Sequence, residues 1–289
     1  MYAIAGLTGQ TGSAAAELLL ERKQPVRGIV RDQQKAAAWR ERGVELVTAS
    51  LDDAAALTRA LTGATGAYLL LPPNYAAPDV LGVLHRETDA MARAVKESGI
   101  PHVVLLSSLG AELPAGTGPI RSLHYAENAL GAAAKNLTVL RAAYFLENWI
   151  PVLGAVFSEG LLPSFLAPGK PLAMAATRDV GRTAAELLLD PARGKRVVQI
   201  AGPRELTPED VAKVLGQRLD CAVRVQGLPL DAVVPTFTAV GMSPKGAELF
   251  REMYAAANAG RLAIARGKAE LRRGTLGPAE VLGGLIAGD

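Results

Sequence analysis

Through the first half of the chain, short and almost uninterrupted apolar runs alternate with longer stretches in which apolar residues recur every three or four positions. The runs predict strands at 2–7, 25–30, 45–49, 66–71, 103–107 and 137–142. Their continuous hydrophobicity is that of strands covered on both faces. Between them the spacing predicts helices over 13–22, 33–42, 53–61, 79–97 and 120–134. In the longest, Val80, Val83, Leu84, Met91 and Val95 fall close to one helical stripe. Strand and helix alternating this often predict an α/β fold of Rossmann type, a doubly wound parallel sheet with right-handed crossovers.

The rhythm breaks after Phe145, where "LENWIPVLGAVFSEGLLPSFLAPGKPLAM" carries four prolines and no strand–helix period. A helix capped near Thr177 or Asp179 follows, then a seventh strand in "GKRVVQIAG". Thr207, Pro208 and Glu209 open a further helix with good cap and first-turn chemistry. The expected organisation is a nucleotide-binding domain over 1–150, with 178–202 returning to it. A smaller, irregular α/β region that binds substrate takes 151–177 and 203–289.

Hydrophobic residues make up 49% of the chain and charged ones 20%, which excludes a disordered protein. The net charge of +3 is dispersed except for Arg261, Arg266, Lys268, Arg272 and Arg273, read as a solvated face rather than a nucleic-acid contact. Cys221 is the one cysteine, so no internal disulfide can form; it reads as buried packing in a protein of a reducing compartment. His85, His102 and His124 lack metal-ligand spacing, and no metal is expected. No uncharged apolar run approaches the roughly 20 residues that span a bilayer. The expectation is a cytoplasmic protein without membrane contact, a monomer or homodimer.

The segment "GLTGQTG" follows the first strand and opens the first helix. Gly6 can make the turn, Gly9 can let backbone approach phosphate oxygens, and Gly12 can let the helix pack close to the sheet. The helix N-terminus supplies an anion site, and Thr8, Gln10 and Thr11 add side-chain donors. The second strand ends "GIVRDQQK", placing Arg31 where an NAD-selective protein has a carboxylate, with Lys35 one turn on. Two cations suit a 2′-phosphate, so NADP(H) is expected ahead of NAD(H). A register slip of one would instead make Asp32 the ribose ligand. In "SLDD", Leu51 and Asp52 are candidate adenine contacts, while Asp52 or Asp53 can equally be a helix cap. Leu71 and Pro72 end the fourth strand at the edge that should border the cofactor.

Taken together and in order, "GLTGQTG", "VRDQQKA", "LLSSLGA", "HYAENAL", "TVLRAAYFLENW" and "RDVGRTAAELLLDP…VVQIAGPRELTPEDVA" resemble an NmrA-like protein of the atypical short-chain dehydrogenase/reductase group. The resemblance covers residues 1 to about 230. It implies an NAD(P)-binding Rossmann domain, a small C-terminal substrate domain and a cleft between them. Family members include NADPH-dependent quinone and dye reductases, and also NADP-binding sensors that act through partners. By position, Ser107, Ser108, Tyr144, Phe145 and Asn148 would line the nicotinamide end, while Glu127 and Arg141 match positions read as structural.

One departure from the wider group concerns acid–base chemistry. Four residues beyond the six tyrosines stand Gly6, Pro72, Asp79, Ala129, Asn148 and Asn258, so no tyrosine is followed by the lysine that lowers its pKa in typical short-chain dehydrogenases. A quinone suits such a site, because its reduced anion is stable enough to collect a proton from water. The expected function is therefore hydride transfer from NADPH to a small quinone or similar electron-poor acceptor. The alternative is an NADP(H)-binding redox sensor that acts through protein partners. His124, Tyr125 and Ser108 are the catalytic candidates, and Ser107, Tyr144 and Phe145 the cofactor contacts. Asn74 and Tyr75 after the two prolines read as part of a lid or as ordinary turn chemistry. Asn148 and Trp149 read as substrate contacts, with the aromatics of "YFLENWI" forming either an apolar wall for a ring or plain core.

Overall fold

The apolar runs and amphipathic stretches form strands and helices in the order that the pattern predicts. The computed structural model describes residues 1–191, 193–267 and 269–286, so Lys268 of the basic cluster lies outside the described residues. The first half contains β1 (Tyr2–Ala5), α1 (Gln10–Glu21), β2 (Val26–Val30), α2 (Ala37–Glu41), β3 (Glu45–Thr48), α3 (Ala54–Leu61), β4 (Gly66–Leu69), α4 (Val80–Ser98), β5 (Val103–Ser108), α5 (Ile120–Ala133), β6 (Leu137–Ala142) and β7 (Tyr144–Phe145). A 3-10 helix (Leu146–Val152) leads to α6 (Leu153–Glu159), β8 (Leu161–Ser164), β9 (Leu172–Ala175), α7 (Thr177–Leu189) and β10 (Lys195–Ala201). The rest comprises β11 (Glu205–Leu206), α8 (Pro208–Leu219), β12 (Arg224–Gly227), a short 3-10 turn (Leu230–Ala232), α9 (Val233–Ala239), α10 (Pro244–Asn258), β13 (Glu270–Arg273) and α11 (Pro278–Ile286).

Eight strands make one parallel sheet in the order β13-β10-β6-β5-β4-β1-β2-β3. The chain winds outward from β1 to β3, then returns to β4 on the other side of β1. That reversal opens a crevice at the carboxyl ends of the strands, where ligands of open α/β sheets bind. One face of the sheet is covered by α1 and α7, whose Leu18, Leu19, Val180 and Leu187 enter its core. The other is covered by α3, α4 and α5, which bury Leu57, Met91 and Leu130. A second core, around Trp149, Leu162, Met174 and Leu215, holds together the elements after β7.

Four local features differ from the sequence expectation. The helix expected over 33–42 shrinks to α2, because the Asp32 carboxylate accepts from the Gln34 N–H at 2.8 Å and the Gln33 amide donates to Thr48 Oγ1 at 2.9 Å. These bonds hold the segment as a turn. Neither Thr177 nor Asp179 caps α7; the Glu147 carboxylate does, accepting from the Thr177 N–H at 2.9 Å and its hydroxyl at 2.7 Å. Asp179 instead accepts from the Leu276 N–H at 2.9 Å. Cys221 is exposed, since it follows the left-handed Asp220 that ends α8 and its N–H closes back on the Gly216 carbonyl.

The fourth difference is β13, which adds an eighth strand to the sheet from a stretch expected to lie wholly in the smaller region. Its sequence, Glu-Leu-Arg-Arg, shows no apolar run because it lies at the sheet edge. Glu270 pairs with Arg196 and Arg272, and Arg272 also reaches Glu186. Arg273 donates to the Gly202 carbonyl, and Arg261 to the carbonyls of Ala115 and Gly116. Three arginines of the late basic cluster thus tie chain segments together, while Arg261 and Arg273 remain exposed, as a solvated face requires.

The contact between α1 and α7 leaves no room for side chains. A methyl group at Gly181 of α7 would overlap the Thr11 carbonyl and the Ala14 side chain of α1. Gly181→Ala should therefore cost about 1–3 kcal/mol, the usual range for overpacking a tight contact. Gly169→Ala, where nothing lies within 4 Å of the added carbon, should stay within about 0.5 kcal/mol of the parent. Urea unfolding of the two variants checks both values.

Candidate functional site

Gly6 ends β1 in a left-handed conformation (φ +67°), and its carbonyl accepts from the Gly9 N–H at 2.8 Å. A methyl at Gly12 would overlap that same carbonyl, so α1 sits as close to β1 as the backbone allows. At Gly9 an added carbon would meet only the Gly6 carbonyl, at 3.3 Å, with space beyond. Gly9 is also the N-cap of α1, which has no side-chain cap and no acidic residue in its first turn. The first-turn N–H groups of Gln10, Thr11 and Gly12 have no acceptor among the described residues. A positive helix end with free donors and an open approach fits a pyrophosphate. Thr8 and Gln10 are exposed beside it. The Thr11 side chain is not, because its hydroxyl is buried and accepts from Tyr68 Oη at 2.9 Å. Thr11 therefore contributes its backbone here rather than the side-chain donor expected of it.

On the neighbouring strand β2, Arg31 and Lys35 are exposed and make no ion pair among the described residues. Asp32 is held by the Gln34 turn, which leaves Arg31 as the free charged group at the end of β2. Asp53 caps α3 through the Ala56 N–H at 2.9 Å. The exposed Asp52 then has no hydrogen bond among the described residues, and the choice between contact and cap falls to Asp53 as the cap.

On the other side of β1 a cavity of about 330 Å³ opens at the ends of β4, β5 and β6. Leu71, Tyr75, Ser107, Ser108, Tyr144, Phe145 and Asn148 line it, together with Phe250 and Met253 of α10. Its walls are mainly apolar. Tyr75 packs edge-on against Phe250, with ring centroids 4.7 Å apart, and its carbonyl accepts from the Ser243 N–H. The loop after β4 is tied in this way to α10. Burial pushes the Tyr75 hydroxyl up to about 12 and the Tyr144 hydroxyl well above the ordinary tyrosine range. For Tyr144 the neighbouring Tyr254 adds to the effect, and the Asn148 amide partly offsets it.

A buried charge network stands behind the cavity. Ser107 Oγ donates to Glu127 Oε1 at 2.7 Å, and Arg141 clasps Glu127 with bonds of 2.9 and 2.7 Å while also reaching Glu112. The Glu127 side chain is 5% exposed and that of Arg141 14%. The Ser107 proton therefore points away from the cavity, and the hydroxyl offers lone pairs to it. Ser108 likewise donates its proton, to the Leu109 carbonyl at 3.0 Å. Glu127 and Arg141 act as the support that fixes Ser107.

Two of the catalytic candidates are not brought to the cavity. A carbonyl can only accept, so His124 Nδ1 carries a proton and donates to Ala111 O at 2.8 Å; its Nε2 accepts from the Asn128 amide at 3.1 Å. Both ring nitrogens of His124 are thus engaged away from the cavity. Tyr125 faces outward from α5, 37% exposed, donating to Asp89 at 2.7 Å and stacking on His85. The helical turn that brings Ile120 and Leu123 to the cavity carries these two side chains past it. Trp149 is also off the cavity, 3% exposed in the second core, and Asn74 is an exposed turn residue whose carbonyl accepts from Ala77. At the end of β4, Leu71 and Pro73 reach the wall and Pro72 does not. The α10 wall had no signal in the sequence, since it comes from more than a hundred residues beyond the strands that it faces.

The model of the NmrA-like family matches residues 2–264. The chain belongs to the NmrA-like family. Among curated relatives, it is 26% identical over 257 residues to an NAD(P)H azoreductase of Xenophilus azovorans, covering 89% of this chain and 87% of that one. It is 26% identical over 269 residues to quinone oxidoreductase 2 of Escherichia coli, covering 91% and 90%. Among solved structures, an NADPH-dependent quinone oxidoreductase of Escherichia coli complexed with NADPH superposes with a TM-score of 0.83 at 24% identity, over 99% of this chain and 100% of that one. Triphenylmethane reductase of Citrobacter sp. complexed with NADP(H) gives 0.78 at 19% identity, over 98% and 95%. The fold of this NmrA-like protein is therefore that of known NADP(H)-binding reductases, and its curated relatives include NAD(P)H-dependent reductases. Among its described residues, no helix is long and apolar enough to cross a membrane.

The buried pair generates a sharp expectation. Arg141→Met strands the Glu127 carboxylate and should cost about 3–5 kcal/mol. Replacing both partners, Glu127→Leu with Arg141→Met, should recover most of that loss, as read from urea midpoints.

Proposed function

We propose that this protein is an NADPH-dependent oxidoreductase whose acceptor is a small quinone or a similarly electron-poor molecule. The observation that carries the reading is the order of groups along the carboxyl edge of the sheet. Asp52 and Arg31 stand at β3 and β2, the free N–H groups of α1 at β1, and Leu71, Ser107 and Tyr144 at β4, β5 and β6. Three strand spacings separate β2 from β5, about 14 Å. An anion site is thus flanked by a free arginine on one side and an apolar cavity on the other, in the order of a dinucleotide's parts. Arg31 and Lys35 would hold the 2′-phosphate, Gly9 and the first turn of α1 the pyrophosphate, and Ser107 and Phe145 the nicotinamide end. Bound NADPH would supply a hydride.

The side chains at the cavity decide what can receive that hydride. Ser107 and Ser108 direct their protons to Glu127 and the Leu109 carbonyl, and burial raises the Tyr144 hydroxyl, so none of the three releases a proton readily. An alkoxide formed from an ordinary ketone would find no acid. A quinone that takes up hydride becomes a hydroquinone anion, stable near neutral pH, and receives its one proton from water. Asn148 is the polar cavity side chain suited to orient the acceptor's oxygen, and Tyr75, Phe145 and Phe250 offer flat apolar surface to its ring. The same lack of a ready acid favours a second reading, an NADP(H)-binding sensor that acts through a protein partner.

The deciding experiment follows NADPH absorbance with purified protein and a small quinone, against controls without quinone or protein. Saturable oxidation is expected; binding of NADPH without consumption across a varied acceptor set would transfer the reading to the sensor. Arg31→Ala should weaken NADPH binding about 10- to 100-fold, the range for losing a charge-assisted contact, while changing NADH binding less than about threefold. Equal losses for the two nucleotides, measured by fluorescence titration, would remove Arg31 from the phosphate site.

A further inference from the structure

One wall of the cavity is a seam between two pieces of chain. The loop joining β5 to α5 brings Pro119 and Ile120 to it, and the segment from α10 onward brings Phe250, Met253 and Leu262. At the seam backbone meets backbone: Gly118 stands at φ +60°, and a methyl group there would overlap the Leu249 carbonyl of α10. With no side chain at Gly118 to interlock, the spacing of the two pieces depends on the ties to either side. Arg261 follows the turn that ends α10, where its own N–H donates to the Ala256 carbonyl at 2.9 Å. Its guanidinium reaches across to the loop, donating from Nη1 to the Gly116 carbonyl and from Nη2 to the Ala115 carbonyl, both at 3.0 Å. Beyond Gly118, Arg121 pairs with Glu252 of α10 at 3.8 Å. A planar fork with two charge-assisted bonds holds a loop in one place as a single ammonium does not. Arg261 is itself exposed and does not line the cavity.

The seam matters because the cavity is small. Its volume of about 330 Å³ lies at the low end of the roughly 300–1,000 Å³ usual for small-molecule sites, and under the reductase reading a nicotinamide ring takes part of it. Proton supply does not make the same selection. A cationic triarylmethane dye receives hydride from NADPH at its central carbon: one C–H bond breaks on the donor and one forms on the dye, the electron pair travels with the hydrogen, and the charge of the dye is cancelled without any proton. A site lacking a ready acid therefore admits such a dye as easily as a quinone, and only space separates the two. The quinone is flat, whereas the three rings of the dye are twisted like a propeller and need room on both sides. We propose that Arg261 is a specificity-determining residue: by clamping the 115–116 backbone to the end of α10 it fixes the seam, limits the acceptor to one or two fused rings and shuts out branched three-ring acceptors. The inference rests on the reductase reading and adds to it an upper limit on acceptor size and the residue that sets it.

The test gives the full-length protein NADPH with either a one-ring quinone or a cationic triarylmethane dye and follows NADPH absorbance. Dye binding is read separately, from the shift of the dye's spectrum in the presence of NADP⁺. The parent should turn over the quinone, with kcat/KM for the dye at least about 100-fold lower. Arg261→Ala should raise kcat/KM for the dye and tighten its binding at least about tenfold, while quinone turnover and NADPH affinity stay within about threefold of the parent. Arg121→Gln, which removes the pair with Glu252, should move the dye-to-quinone ratio in the same direction by about two- to fivefold. Should Arg261→Ala not fold, Arg261→Lys, which keeps the charge and loses the fork, carries the same comparison with a smaller gain. A parent that takes the dye as readily as the quinone, or a folded Arg261 variant that keeps the parent's ratio, would overturn the inference and leave the reductase reading standing. A loss of quinone turnover and NADPH affinity in step with the dye's would also overturn it, since that is the mark of a loosened fold. If the parent consumed NADPH with neither acceptor, the reductase reading would fall, and dye binding alone would decide the seam: equal binding by parent and Arg261→Ala would sink it.

Discussion

Backbone touching backbone at three glycines is the constraint on which the rest of this structure depends. Gly12 lets α1 lie against the Gly6 carbonyl, and Gly181 lets α7 lie against the Thr11 carbonyl. With side chains removed from both contacts, the first turn of α1 is wedged between strand and helix, and its free N–H groups are held at the edge of the sheet. The turn at Gly6, with φ +67°, aims the loop over that edge. A carbon at Gly12 or Gly181 would push the helix end away, and its free N–H groups would move with it.

The two sides of this wedge differ in electrostatic character. Toward β2 and β3 the edge carries Arg31 and Asp52, exposed and without an ion pair among the described residues. Toward β5 and β6 the charges are sealed beneath the surface, where Arg141 neutralises Glu127 and Glu127 fixes Ser107. The exposed charges stay in solvent, whereas the sealed ones stiffen the floor of an apolar cavity. Under the proposed reductase reading, a cavity whose serine protons turn inward would position and desolvate an acceptor without readily protonating it, which favours acceptors whose reduced anions are stable in water.

Much of the fold was legible before the structure. The six early strands, the long α4 and the seventh strand at Lys195–Ala201 follow from hydrophobic runs and helical spacing, because strands buried on both faces must be apolar throughout. The glycine loop was legible for the same local reason. β13 was not, since an edge strand carrying Glu270, Arg272 and Arg273 has no apolar signature. The turn that engages Asp32 at the end of β2 was equally closed to sequence reasoning, because it depends on whether a carboxylate finds the N–H two residues on. His124 and Tyr125 were drawn toward the site by their place in a motif, and the rotation of α5 carried them away from it.

The sequence by itself therefore determined what depends on a few neighbouring residues: the strand runs, the turn at Gly6, the close approach at Gly12 and the cap on α8. Hydrogen-bond partners and cavity walls were decided by the tertiary structure. Ser107 meets Glu127 from twenty residues on, Tyr75 meets Phe250 from α10, and the Glu147 carboxylate starts a helix thirty residues later. Which proton points into a cavity, and which carboxylate is left without a donor, is settled by groups that only folding brings together. A local pattern carries no record of them.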